Sequence, residues 1–164
     1  MLYDVIIIGG GPAGVAALVY TARKRLKTLL ITESFGGQSI VSDDIQNWIG
    51  EPHISGFDLA QKIEAHARSY PDVVDIKSER AVLVAKKGAN FEIKTEQGNT
   101  YEGKTVILAA GARRRKLGVP GEEKFNGKGV AYCSTCDAPL FSGKKVAVAG
   151  GGNAGLEAVQ DLFP

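Results

Sequence analysis

Two glycine clusters of one design constrain this chain more than any other feature. Gly9-Gly10-Gly11-x-x-Gly14 and Gly150-Gly151-Gly152-x-x-Gly155 share the pattern G-x-G-x-x-G. The first follows Tyr3 to Ile8, a β-branched run that reads as a buried strand. Pro12 then fits a first helical position, where its missing N–H costs nothing. The alanine-rich stretch to Arg23 continues as a helix, and Lys27 to Thr32 reads as a second strand. An acidic residue, Glu33, ends that strand about 20 residues beyond the cluster, the spacing of a dinucleotide fingerprint. In such a turn Gly9 permits the sharp reversal, Gly11 admits a pyrophosphate to the backbone, and Gly14 lets helix meet strand. The helix N-terminus then offers free N–H groups and a positive dipole end. Glu33 can accept hydrogen bonds from a ribose. The competing reading is a purely structural turn where two elements pack closely.

Composition excludes several classes. The chain has 164 residues, 44% hydrophobic and 23% charged, so it is neither disordered nor fibrous. Its 20 basic and 18 acidic residues leave a net charge of +2, no signal for nucleic acid or a membrane surface. Glycine stands out at 21 residues, where ordinary usage gives about a dozen. The uncharged run from Val5 to Ala22 approaches the length of a membrane span. It holds Gly9-Gly10-Gly11-Pro12 and follows Asp4, which fits neither a span nor a signal peptide. A cytoplasmic location is the expectation.

Beyond Thr32 the chain is irregular to Ile54. Phe57, Ala60, Ile63 and Ala67 recur at helical spacing, ending before Pro71. Residues 82–85, 91–95 and 100–102 read as antiparallel strands joined by glycine turns. Thr105 to Ala110 reads as a buried strand ending at Gly111. Arg113 to Lys116 begin a stretch rich in glycine and proline that reads as a linker. Its basic run is a solvated face, or steers an acidic partner or a cofactor phosphate. Residues 144–149 read as another strand and 153–162 as another helix. The division expected is a dinucleotide-binding portion over 1–112, a linker over 113–130, and the start of a second such domain over 131–164.

The two cysteines, Cys133 and Cys136, form a CxxC segment between the clusters. A zinc site needs about four ligands, and the two histidines, His53 and His66, lie far off in sequence. His66 reads as a packing or surface residue, and His53 receives no role. No metal is expected. An inert buried pair is the second alternative. A redox dithiol is favoured, because such spacing closes a strained, reducible disulfide. At the second cluster Gly150, Gly152, Asn153, Ala154 and Gly155 repeat the fingerprint. The strand that would carry a residue distinguishing NADH from NADPH does not follow.

Two fingerprints with a CxxC between them resemble the low-molecular-weight thioredoxin reductase family. The flavoprotein component of alkyl hydroperoxide reductase belongs to the same superfamily. The residues carrying the resemblance are Gly9 to Gly14, Ser34 to Gln38, Asn47 to Gly50, Ala110 to Ala112, Val119 to Glu122, Cys133 to Asp137 and Gly150 to Glu157. The resemblance implies an α/β fold: a Rossmann-like FAD-binding portion with a β-meander, then the start of a second Rossmann-like NAD(P)-binding domain. It implies that Gly9, Gly11, Pro12, Ala13 and Gly14 hold the ADP half of FAD. Thr32, Glu33, Gly36, Gly37, Gln38, Asn47, Ala110 and Gly111 line the flavin nucleotide, and the backbone near Ala81 touches the adenine. Cys136 lies nearest the flavin ring, Cys133 attacks a partner disulfide, and Asp137 donates a proton. Electrons run from NADH or NADPH through FAD to the cysteine pair, then to a thioredoxin-like or peroxiredoxin-system protein.

The family has Thr before Gly111, where this chain has Ala110, and Gly after the CxxC Asp, where it has Ala138. Family members also finish the nicotinamide domain and return to complete the flavin domain, so this chain reads as truncated. A homo-oligomer or a complementing second chain is expected to supply the missing elements. The competing class is a non-catalytic FAD-binding module, or half of a two-chain enzyme.

Overall fold

β1 (Leu2–Gly10) and β2 (Thr28–Phe35) are β-branched runs that pair in parallel, with Val5 opposite Thr28 and Ile8 opposite Ile31. Residues 1–112 and 115–163 are described in this computed structural model, with the side chains of Thr135 and Cys136 outside the description. Arg113 and Arg114 of the basic run therefore lie outside the described residues. The chain divides into two compact units, residues 1–113 and 114–164.

In the first unit, α1 (Pro12–Arg23) links β1 to β2, and α2 (Gly56–Arg68) precedes a short strand, β3 (Val74–Ser78). β4 (Ala81–Lys87), β5 (Asn90–Thr95) and β6 (Thr100–Leu108) follow. The sheet order is β3-β2-β1-β6-β5-β4. β3, β2, β1 and β6 run parallel, while β6, β5 and β4 form the antiparallel meander. The stretches expected as separate strands, 100–102 and 105–110, are one strand to Leu108, because β6 pairs with β5 over residues 100–103 and with β1 from Glu102 to Leu108. β3 is an addition to the elements expected from sequence. Its pattern of Val74 and Ile76 against Asp75 and Lys77 is that of a short edge strand, buried on one side.

Only Glu79 and Arg80 separate β3 from β4. Strands lie about 4.8 Å apart, so a flat sheet would set these two edges about 24 Å from each other. The links from Ser78 to Ala81 reach about 11 Å. The sheet therefore folds over, and the meander covers one face of the parallel strands. Side-chain alternation matches this layering. Val5, Ile7 and Leu30 pack with Val15 and Leu18 of α1 and Leu59 and Ile63 of α2. Ile6, Ile8, Leu29 and Ile31 point to the other face and pack with Ile93 of the meander. Burying each such Leu or Ile contributes about 1.5–3 kcal/mol.

Gly103 stands opposite both Tyr3 and Phe91 in the middle of β6. A Cβ there would lie 2.7 Å from Cγ1 of Ile6, which is fully buried. Glycine thus lets β6 pass over Ile6. Gly103→Ala is expected to cost about 1–3 kcal/mol of stability through overpacking, measured as a lowered urea midpoint. An unchanged midpoint would show that Ile6 yields freely.

The second unit has little core of its own. Among its described residues only Glu122 and Ala138 are buried. It carries a one-turn helix α3 (Ser134–Asp137), a 3-10 turn (Ala138–Phe141) and α4 (Asn153–Leu162). α3 and the 3-10 turn both lie against α4. Residues 144–149, expected as a strand, form no strand ladder. A strand needs a neighbour for its N–H and C=O groups, and no described strand of this unit pairs with them. The stretch expected as a linker also has local order. Residues 120–129 form successive turns, closed by a bridge between Asn126 and Val130.

Candidate functional site

β1 is the point where the parallel sheet reverses direction of growth. The chain leaves it through α1 to β2 on one side, while β6 pairs on the other. A crevice outside the strand ends opens at such a switch point. Three segments meet there. Gly9 has φ +114°, and a Cβ on it would sit 2.2 Å from the Ala109 carbonyl oxygen and 3.3 Å from the Ala110 Cα. A Cβ on Gly14 would sit 1.8 Å from the Gly9 oxygen, so helix and strand touch through bare backbone. The Gly36 N–H donates to the Gly10 oxygen at 3.1 Å, which ties the end of β2 to the turn. Gly37, at φ +56°, then faces Gly11, whose own Cβ would meet nothing nearer than the Gly37 Cα at 3.7 Å.

The starts of α1 and α2 differ in their capping. α2 begins conventionally: the Ser55 hydroxyl oxygen accepts from the Asp58 N–H at 3.0 Å, and Asp58 places a carboxylate in the first turn. α1 has neither device. Its N-cap is Gly11, with no side-chain cap and no acidic residue in the first turn. Pro12 supplies no N–H, and the first helical bond runs from the Val15 N–H to the Gly11 oxygen at 3.0 Å. The N–H groups of Ala13 and Gly14 thus open a helix whose first turn carries no acidic residue and no side-chain cap. A pyrophosphate fits this cradle in charge and in space.

Thr32 is buried within β2, and its hydroxyl donates to the Ser34 oxygen at 2.7 Å. Glu33 is exposed beside it, and Gln38 lies in the 3-10 turn Gly37–Val41. Gly111, at φ +66°, stands in open space after β6. Asn47 is exposed in a loop drawn together by the Ile45–Ile54 pairing. Ala81 begins β4, opposite Thr95, and packs against the core beneath the meander. The structure thus gathers Gly9, Gly11, Gly14, Gly36, Gly37 and Ala110, and leaves Asn47 on a separate loop. A shallow depression of about 630 Å³ lies elsewhere, lined by Asp44, Glu51, His53 and Lys62 near the start of α2. Its charges pair among themselves, His53 with Asp44 at 3.0 Å and Lys62 with Glu51.

The second cluster repeats the stereochemistry of the first. Gly150 has φ +122°, and a Cβ on Gly155 would sit 2.1 Å from the Gly150 oxygen. The N-cap Gly152 has φ −84° and ψ 179°, against −75° and −179° at Gly11. Asn153 and Ala154 open the helix, again with no side-chain cap and no acid in the first turn. Cys133 is the N-cap of α3 and is disulfide-bonded. The Asp137 N–H donates to its carbonyl oxygen at 2.9 Å, which holds Asp137 one turn away. The Cys136 side chain lies outside the described residues.

Two residues near this motif, Glu122 and Tyr132, receive no role in the sequence reading, although Glu122 closes the Val119 to Glu122 stretch that carries the resemblance. Glu122, only 4% exposed, accepts from the N–H groups of Leu117 at 2.7 Å, Gly118 at 2.6 Å and Val119 at 3.3 Å. It also accepts from the hydroxyl of Tyr132, the residue before Cys133. The Tyr132 bond, with the three backbone donors, holds the Glu122 carboxyl below the usual carboxylate range against the effect of burial. The same bond pushes the Tyr132 phenol up to about 12. The one signal in the sequence is an acid directly after Gly118-x-Pro120-Gly121, where turn N–H groups converge.

Comparison with known proteins places this geometry. The chain is 46% identical over 161 residues to the alkyl hydroperoxide reductase F protein of Pseudomonas putida, covering 98% of this chain and 31% of the relative. It is 48% identical over 160 residues to a Bacillus subtilis NADH dehydrogenase, covering 98% and 31%. The chain thus spans about a third of the length of these curated relatives. Among solved structures, the thioredoxin reductase of Streptococcus pyogenes superposes with a TM-score of 0.79 at 38% identity, covering 98% of this chain and 52% of that one. Residues 3–162 match the model of one family over nearly the whole chain. That match agrees with the uncapped glycine turns, and the chain belongs to the pyridine nucleotide-disulphide oxidoreductase family.

Proposed function

We propose that this chain is the flavin-binding and dithiol-bearing part of a disulfide reductase, passing electrons from NADH or NADPH through FAD to a Cys133–Cys136 pair and on to a thioredoxin-like protein. The observation that carries the reading is the pair of stereochemically matched helix starts, each without a cap or an acid of its own, flanking a CxxC segment. Bound FAD supplies hydride acceptance from the nicotinamide and electron donation to a disulfide. The chain's own residues bind and orient. Gly11, Ala13 and Gly14 present backbone to the pyrophosphate, and Glu33 accepts from a ribose hydroxyl. Cys133, as thiolate, attacks the partner disulfide and forms a mixed disulfide. Cys136 then displaces the partner as a dithiol, and Asp137 supplies the proton the leaving sulfur takes up. The internal disulfide re-forms with loss of two electrons, which the partner has gained.

A second reading, delivery to a peroxiredoxin instead of a thioredoxin, is favoured by the 46% identity to an alkyl hydroperoxide reductase protein. Reduced chain offered each oxidised partner at equal concentration separates the two by rate.

The nucleotide reading is tested by the visible spectrum of the purified chain and by titration with free FAD. The expected result is uptake of one FAD per chain. A colourless protein that takes up none would overturn flavin binding by this chain.

A further inference from the structure

We propose that Glu122 and Tyr132 form a clasp that positions the CxxC segment and favours its disulfide form. The inference rests on the proposed redox role of Cys133 and Cys136, and goes beyond it by naming residues outside the motif.

The geometry is specific. One carboxylate receives four donors. Three are consecutive backbone N–H groups at Leu117, Gly118 and Val119, and the fourth is the Tyr132 hydroxyl. Gly118 has φ +73° and Gly121 φ +86°, so the chain curls around the carboxylate. A buried carboxylate needs such partners, and here they come from two stretches of chain. The backbone donors belong to residues 117–119, near the start of the second unit. The phenol belongs to the residue joined by a peptide bond to Cys133. Charge-assisted bonds of this kind are short and roughly twice as strong as neutral ones. Lys116 pairs with Glu123 at 2.7 Å, which leaves Glu122 to these donors.

The consequence follows from chain entropy. Cys133 is disulfide-bonded with the clasp closed. In the dithiol form, a fixed Tyr132 keeps the backbone of Cys133 near the position it needs for closure. That raises the effective concentration of one thiol near the other. Opening the clasp frees the segment, and the disulfide becomes easier to reduce. Among the described residues, the Glu122 carboxylate bonds to backbone N–H groups and the Tyr132 hydroxyl, so both act as positioning residues.

Tyr132→Phe removes the hydroxyl alone and leaves the backbone donors on Glu122. Glu122→Gln replaces one acceptor oxygen with an NH2 group that faces other donors. The wild-type chain and each variant are equilibrated with dithiothreitol and its cyclic disulfide over a range of ratios. As the protein disulfide gains two electrons and two protons, dithiothreitol loses them and closes its ring. Protein thiols are then counted by alkylation and mass. The expected result is a shift toward the dithiol of about three- to tenfold in the equilibrium constant for Tyr132→Phe. Glu122→Gln should shift it in the same direction, and the double variant no further than the larger single effect. A purely structural clasp would lower the melting temperature and leave this constant alone. A shift under threefold, or one toward the disulfide, overturns the proposal. Should Tyr132→Phe fail to fold, Glu122→Gln is judged by the same limits. A wild-type pair that no dithiothreitol ratio reduces would sink the redox reading and take this inference with it. A reducible pair that the variants leave unmoved sinks this inference alone.

Discussion

Gly14→Val is expected to abolish FAD uptake and to destabilise the first unit by about 3 kcal/mol. A Cβ at position 14 would stand 1.8 Å from the Gly9 carbonyl oxygen, well inside any tolerable contact. Gly9 has no room to retreat, since a Cβ on it would lie 2.2 Å from the oxygen of Ala109, the residue after β6. The helix start must therefore move off the strand, and its N–H groups leave the place proposed for a phosphate. Gly11→Ala provides the contrast. Gly11 has φ −75°, which any residue adopts, and its Cβ would find no neighbour nearer than 3.7 Å. That variant is expected to keep its stability within about 1 kcal/mol while its methyl group stands in the pyrophosphate's path and weakens FAD binding. Urea unfolding reads the first effect and flavin fluorescence titration the second. FAD affinity unchanged in Gly11→Ala would show that the phosphates lie elsewhere.

These glycines are legible because their signal is local. A β-branched run, a G-x-G-x-x-G turn, a proline at the helix start and an acid on the next strand all lie within about 35 residues. What is local in sequence is also right in structure: β1, α1, β2 and α2 lie where periodicity places them. The differences concern elements whose state depends on distant partners. Residues 144–149 have the composition of a strand, yet a strand exists only beside another, and no described strand pairs with them. Residues 103 and 104 fall between two stretches that read as separate strands, whereas β6 runs through them and the bare Gly103 lets it pass over Ile6. Glu122 sits in a stretch that reads as linker because no local pattern shows that Tyr132 returns to its carboxylate. The folded-over sheet is intermediate. No single strand reveals it, but the two residues between β3 and β4 require it once the strand order is known.

The cysteine assignment yields the second large effect, and the two sulfurs predict opposite outcomes. The chain is first reduced with dithiothreitol, desalted, and mixed with an oxidised thioredoxin-like protein in a single turnover. Cys133→Ser is expected to produce no reduced partner, because a hydroxyl does not attack a disulfide at neutral pH as a thiolate does. Cys136→Ser is expected to keep the attack and lose the release. Its Cys133 forms the mixed disulfide, no second thiol displaces the partner, and a covalent complex accumulates, visible on a non-reducing gel. Both variants should bind FAD as the unaltered chain does. The glycine turn proposed to hold the phosphates is assembled wholly within residues 1–113, from β1, α1 and the ends of β2 and β6. This separation guards against a trivial explanation, since a misfolded variant would lose flavin and sulfur chemistry together. A complex trapped by Cys133→Ser and not by Cys136→Ser would exchange the two roles. It would put Cys136 toward the partner and leave Cys133, at the N-cap of α3 and next to the clasp residue Tyr132, as the sulfur that resolves the mixed disulfide.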